Sequence, residues 1–257
     1  MLPVRSPTLP PATHTNAWVL GNRSVTVIDP ASPWAEEQQR LAEALTGREV
    51  SRILLTHHHH DHISGAEDLR RRTGAPIVAH PLTADQIPFT VDERIDGGTQ
   101  IETDAGAWQV LHTPGHAQGH LCLLRDDGYL VAGDMVAGVG TILLQPPEGN
   151  LSDYLASLQQ LIDTGAHTLL PAHGPDITPA ADYLRYYIAH RHKRTNQIRA
   201  ALVARGQPST PAELVPLIYA DIPPAVWPIA ARQVLCHLLW LADQGDIIAD
   251  GDRYMPA

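Results

Sequence analysis

The chain has 257 residues, 44% of them hydrophobic and 18% charged, which suits a globular protein with one full core and a smaller appended unit. Its formal net charge of −10 disfavours non-specific binding to a phosphate backbone, which depends on lysine and arginine. No apolar run approaches the roughly 18 residues of a bilayer span, and the opening MLPVRSPTLPPATHTN lacks the apolar stretch of a secretory signal, so a cytoplasmic protein with no membrane contact is expected.

In chain order, the short apolar runs at residues 18–20 and 25–28 read as buried strands. The stretch WAEEQQRLAEALTG reads as a helix, with Leu41 and Leu45 four apart and Gly47 as its stop. A strand at residues 53–55 leads directly into THHHHDHISG, which lies too far inside the chain to be an expression tag. Residues 64–67, SGAE, fit a capping box that opens a helix running to Gly74. Further strands are expected at residues 77–79, 108–111, 121–124, 130–132 and 168–170, with RDDGY supplying a hairpin turn before Leu130. Strands interleaved with helices around a central hairpin predict α/β layers.

From about Pro179 the texture changes. A long helical pattern ends at Gly206, two shorter ones follow, and DIIADGDRYM reads as a terminal hairpin around Asp-Gly. The expected division is therefore a larger α/β domain at residues 1–178 and a helical, winged-helix-like domain at residues 179–257. The two cysteines, Cys122 and Cys236, lie far apart in apolar surroundings and read as buried free thiols.

The histidine run is not alone. His116 in TPGHAQGH, Asp134 in AGD and His173 in PAHG each follow a buried strand, where a rigid scaffold can bring distant side chains together. Gly115, Gly133 and Gly174 beside them allow close backbone approach. In an extended segment His57, His59 and Asp61 project to one side, so His58 and His60 are expected to point elsewhere.

These ordered motifs, T-H-x-H-x-D-H at residues 56–62, T-P-G-H-x-x-G-H at residues 113–120, Gly133-Asp134 and His173-Gly174, resemble the metallo-β-lactamase superfamily. The resemblance implies an αββα sandwich with two metals between the edges of its sheets. One metal would take His57, His59 and His116, the second Asp61, His62 and His173, and Asp134 would bridge them. His120 is expected to orient a neighbour rather than to ligate, and His14, His80 and His112 read as ordinary polar residues. Imidazole and carboxylate without thiolate suit two Zn2+, with manganese or iron as alternatives. A hydroxide bridging the metals would be the nucleophile, with Asp61 and Asp134 as the catalytic carboxylates. No G-x-S-x-G elbow offers a serine instead.

Asp134 stands where the best-known dinuclear zinc β-lactamases usually carry cysteine, which argues against antibiotic hydrolysis. His59 argues against flavodiiron oxidoreductases, which tend to carry glutamate there. The segments THTNAWVLG, PAHGP and YLRYYIAHRHKRTNQIRAAL resemble the β-lactamase-like protein 2 group, which includes single-strand-directed endoribonucleases and fungal thioesterases. The expected function is hydrolysis of a small acyl thioester or related ester. Endoribonuclease action on RNA is the alternative, followed by a mono-iron persulfide dioxygenase or a non-catalytic binding protein. Arg191, Arg194 and Arg199 fall roughly along one face of the long helix, either to hold a phosphate or as a solvated face with local ion pairs. Aromatic residues make up only 5%, with one phenylalanine, so base-stacking platforms are not obvious. Residues 142–144 are expected to pack under the following helix rather than to line a pocket.

Overall fold

The computed structural model describes residues 1–257. The first sheet holds β1 (Leu2–Arg5), β2 (His14–Leu20), β3 (Ser24–Ile28), β4 (Glu49–Leu54), β5 (Ile77–Ala79) and β6 (Glu93–Arg94) in that spatial order. From β3 onward its neighbours pair in parallel. The second holds β7 (Gln100–Thr103), β8 (Gly106–His112), β9 (Leu121–Arg125), β10 (Tyr129–Gly133) and β11 (Thr168–Pro171), antiparallel except where β10 meets β11.

The side-chain period of two assigns each strand to two cores. On β9, Leu121 and Leu123 face the inter-sheet core with Trp18, Ile28, Leu54 and Val110, while Cys122 faces the opposite side. Two helices, α1 (Ala35–Ala44) and α3 (Ala66–Thr73), bury Leu41 and Leu69 against the outer face of the first sheet. The outer face of the second is covered by Tyr154, Leu158 and Leu161 of α5 (Leu151–Asp163) and by Leu184 and Tyr187 of α6 (Ala180–Arg205). The layers are therefore α, β, β, α, as the motifs implied. Two short helical turns, α2 (His60–Ile63) and α4 (Pro81–Ala84), sit at the strand ends.

One local expectation fails. Ser64 does not cap α3, because α2 leaves it helical (φ −64°, ψ −19°) and its hydroxyl donates back to the His60 carbonyl. Gly65 takes the N-cap position of α3 instead, and a Cβ there would lie 2.4 Å from the Pro30 carbonyl oxygen.

Beyond α6 come α7 (Pro211–Ile218), α8 (Trp227–Asp243) and a hairpin of β12 (Ile247–Asp250) and β13 (Arg253–Pro256). A capping box formed by Thr210 and Glu213 starts α7. The C-terminal half of α6 gives Ile198, Ala201 and Leu202 to a separate core with Leu214, Val234, Leu238 and Tyr254. Thus α6 belongs to two cores at once. The segment Pro224–Asp243 has the length and mean hydropathy (1.3) to suit a bilayer, yet its Val234, Leu238 and Leu241 are fully buried in this second core.

Candidate metal centre

The site lies where the C-terminal ends of β3, β4, β8, β10 and β11 meet. Thr56 and His57 follow β4, His116 lies four residues past β8, Asp134 follows β10 and His173 lies two residues past β11. His59 is still extended (φ −66°, ψ 146°), so His57 and His59 reach the same point as strand alternation requires. The extended reading stops there. Residues His60–Ile63 form a helical turn, and that turn, not strand alternation, delivers the adjacent Asp61 and His62 together. His60 is left exposed, and His58 turns aside to Glu148.

Three nitrogens converge first: His57 Nε2 and His59 Nδ1 are 2.9 Å apart, and His116 Nε2 lies 3.3 and 3.0 Å from them. The second group joins His62 Nε2, His173 Nε2 and Asp61. Asp134 stands between the two. Its Oδ1 is 3.5 Å from His62 Nε2 and 3.3 Å from His173 Nε2, and its Oδ2 is 3.5 Å from His116 Nε2. All seven residues singled out by the motifs are brought together.

The protons on these rings can be assigned from their outer partners. His116 Nδ1 donates to the Leu143 carbonyl at 2.9 Å and His173 Nδ1 to the His14 carbonyl at 3.0 Å. His62 Nδ1 donates to Asp29 Oδ2 at 2.8 Å. Thr56 Oγ1 gives its own proton to Asp29, so it accepts from His57 Nδ1 at 3.0 Å. His59 Nε2 faces Glu148 Oε2 at 3.3 Å. Each imidazole therefore points a lone pair inward, the tautomer that a metal ligand requires.

This arrangement fits divalent cations. His62 Nε2 and Asp134 Oδ1 are buried without a hydrogen-bond partner, a costly state unless something else satisfies them. Nitrogens at 2.0–2.1 Å from one tetrahedral ion would be roughly 3.3 Å apart, close to the spacing of the first cluster. Burial and the neighbouring His62, His59 and His116 hold His57 well below the usual imidazole range. Burial and His59 bring His116 down to about 4. For His62, burial is outweighed by Asp134, Asp29 and Asp61, which raise it. Asp134 is held well below the carboxylate range, against the effect of burial, by His173 and His62.

His120 is a positioning residue, as the sequence suggested. Its Nε2 accepts the Asp134 backbone N–H at 3.1 Å, so that nitrogen is occupied. The approach requires Gly133 (φ 49°), where a Cβ would lie 2.5 Å from His120 Nε2. Two carboxylates went unnoticed in the sequence. Asp29 accepts from Thr56 N, Thr56 Oγ1 and His62 Nδ1, and sits at φ 49°. Its signal was an acid directly after the apolar run ending at Ile28, the same placement as Asp134 after β10. Glu148 lies in the loop after Asp134, with no spacing signature.

His80, Asp96 and His112 form another His/Asp group. His80 Nδ1 accepts from Leu82 N at 3.1 Å, so its proton is on Nε2, facing Asp96 at 3.2 Å. That nitrogen has no lone pair to offer, and the group is a hydrogen-bonded cluster.

A cavity of about 570 Å³ opens above the cluster. Its floor is His59, Asp61, His116, Asp134 and His173, and its walls come from residues 7–12, Ala137, residues 139–143, Gln145, Glu148, Val226 and Ile229. No lysine or arginine lines it. Of residues 142–144, Ile142 and Leu144 are buried in the core, yet Ile142 and Leu143 also line this cavity, so the expectation of packing alone holds only for Leu144. The arginines of α6 turn elsewhere: Arg191 is buried, with Nη2 on the Ile142 carbonyl at 2.6 Å, Arg194 donates to the Ile218 carbonyl over the Tyr219 ring, and Arg199 pairs with Asp246.

Residues 10–173 match the family model of the metallo-beta-lactamase superfamily, and residues 210–254 that of the beta-lactamase associated winged helix domain. The chain belongs to the metallo-β-lactamase superfamily and is a metal-dependent hydrolase carrying a C-terminal winged helix. Within that superfamily it is 30% identical to the beta-lactamase-like protein 2 homolog of Drosophila melanogaster, over 77% of this chain and 70% of that protein. It is 31% identical to the atrochrysone carboxyl ACP thioesterase of Passalora fulva, over 80% of this chain and 63% of that one. A metallo-beta-lactamase family protein from Thermus thermophilus superposes with a TM-score of 0.82 at 25% identity, covering 100% of this chain and 97% of that one.

Proposed function

We propose that the protein hydrolyses an acyl thioester or a closely related ester with two divalent cations, zinc by the chemistry of the donors, held by His57, His59, Asp61, His62, His116, Asp134 and His173. The observation that carries the substrate class is the cavity lining: apolar walls above the cluster, and no lysine or arginine. Beyond the metals themselves, a polyanionic strand entering there would find no cationic side chain to pair its flanking phosphates. An acyl group needs none. The arginines of α6 do not supply the missing charge, because Arg191, Arg194 and Arg199 are bound to this chain's own carbonyls and to Asp246. The thioesterase named among the relatives supports the same reading.

Two such cations, when bound, would supply a water acidic enough to attack near neutral pH and an electrophile for the carbonyl oxygen. The rest belongs to the chain. The outer hydrogen bonds keep the imidazole lone pairs aimed inward. Asp134 offers one oxygen to each half of the cluster. Asp61 lines the cavity, with its main-chain carbonyl held by Thr15 Oγ1 at 2.8 Å, and its carboxylate is placed to orient the attacking water and accept its proton. No thiol competes as nucleophile, since burial pushes Cys122 up to about 12 and Cys236 up to about 11.

The test is metal analysis of the purified protein with one activity panel. The panel holds acyl-CoA and glutathione thioesters, a lactone, a phosphodiester and single-stranded RNA, with metal-depleted protein and Asp134→Ala as controls. Two zincs with thioester turnover, both lost in Asp134→Ala, is the expected result. Metal-dependent RNA cleavage with inert thioesters would overturn the substrate class, and a single bound iron would overturn the dinuclear site.

A further inference from the structure

Large apolar side chains left in solvent are ordinary when scattered singly; their convergence is what calls for a cause. Here Leu9 (53% exposed), Val139 (37%), Val226 (40%) and Ile229 (37%) all line the single cavity above the His/Asp cluster. They come from three separate parts of the chain: the N-terminal loop, the loop after Asp134, and the start of α8. The wall on the Leu9 side is stiffened by Pro7, Pro10 and Pro11, whose rings restrict the backbone. The cavity's charged lining is confined to its floor and to Glu148, which is already paired with His58 and His59.

We infer that these four residues form a collar that binds the apolar chain of the acyl group, and that the C-terminal winged-helix unit, through Val226 and Ile229, selects for chain length. This deepens the thioesterase reading and rests on it for the reaction, though not for the binding. The occupant is a flexible, uncharged hydrocarbon chain whose carboxyl end lies at the metals. An apolar collar rewards each methylene it buries. Lengthening the chain should therefore lower KM by about fourfold per methylene until the collar is filled, with kcat changing far less, because the reacting carbonyl stays at the floor.

Two readouts separate the collar from the reaction. The first is kcat and KM for a straight-chain series of acyl-CoA thioesters from acetyl to decanoyl. The second is calorimetric binding of the matching alkanoates to zinc-loaded protein, which needs no turnover. Ile229→Trp, which fills the collar, should reduce the decanoyl-to-acetyl ratio of kcat/KM at least tenfold and weaken decanoate binding. Leu9→Asp, which charges the opposite rim, should act in the same direction and serves if the first variant folds poorly. Ile248→Ala, at an exposed apolar residue outside the cavity, should leave the ratio unchanged. Chain-length-dependent alkanoate binding without thioester turnover would uphold the collar and sink the reaction. Thioester turnover with KM and alkanoate affinity both indifferent to chain length would sink the collar and leave the reaction standing.

Discussion

Five imidazoles meet at this site, and each must keep its proton on the outward nitrogen. The chain achieves this with three side chains, Thr56, Asp29 and Glu148, and two backbone carbonyls; Asp29 matters most because one oxygen, Oδ2, serves both His62 and Thr56. Asp29→Asn leaves an amide that can accept at only one end, so we expect affinity for the His62-bound metal to fall 10- to 100-fold. Chelator competition with stoichiometry read at equilibrium checks this; equal loss from both positions would mean that Asp29 acts on the fold rather than on His62. Alternation within the histidine run is equally testable. His57→Ala and His59→Ala should each lower metal content, while His60→Ala and His58→Ala retain it, as measured by elemental analysis of the four purified variants. The seven inner residues were legible because they fall in four ordered motifs, each beginning within a few residues of the end of a buried strand. Asp29 and Glu148 were not, since a carboxylate that touches a ligand rather than an ion need obey no spacing.

At the scale of the element, the loop between Asp134 and α5 is the join between the two ends of the chain. It offers the Leu143 carbonyl to His116 and Glu148 to His59, and it is held from the C-terminal side by Arg191 on the Ile142 carbonyl and by Gln233 Oε1 on Leu144 N at 2.9 Å. Arg191 also lies 5.0 Å from the Tyr154 ring centre. Arg191→Met should destabilise the protein by about 2 kcal/mol, since a buried charge-assisted bond is lost, and should weaken the metal held by His116. Chemical denaturation and metal competition measure the two effects, and intact metal affinity would uncouple α6 from the site. Continuous apolar runs made the strands readable, while the capping box of Thr210 and Glu213 that starts α7 went unread. The turn α2 was not readable, because four residues of helix have no period to show. The arginine face of α6 misled in a similar way: spacing places residues on one side of a helix but does not say whether that side faces solvent or a neighbouring carbonyl.

Across the whole molecule, acid should loosen the C-terminal unit through His237. Burial, with Arg191 and Arg194 nearby, brings this imidazole down to about 3, and its Nδ1 donates to Thr195 Oγ1 at 2.8 Å. The unfolded chain would take up a proton near the ordinary value of 6.5 while the folded one does not. The contribution is therefore fully present above pH 6.5 and is lost as the pH falls towards 3, at a rate approaching about 1.4 kcal/mol per pH unit. Urea denaturation across that range should show His237→Gln with a shallower slope than the parent by one proton; identical slopes would assign the acid sensitivity elsewhere.

The helix α6 places Leu184 and Tyr187 in the core of the sandwich and Ile198 and Leu202 in the core of the winged helix. A rod shared in this way couples the packing of its two ends, so the two units are expected to lose structure in a single cooperative step. Binding free energy gained at the strand ends is then distributed through the whole chain by mass action. Saturating the protein with zinc should slow amide hydrogen exchange in the hairpin of β12 and β13, which touches no part of the cavity. Unchanged exchange there would show that α6 breaks in the middle before either core opens.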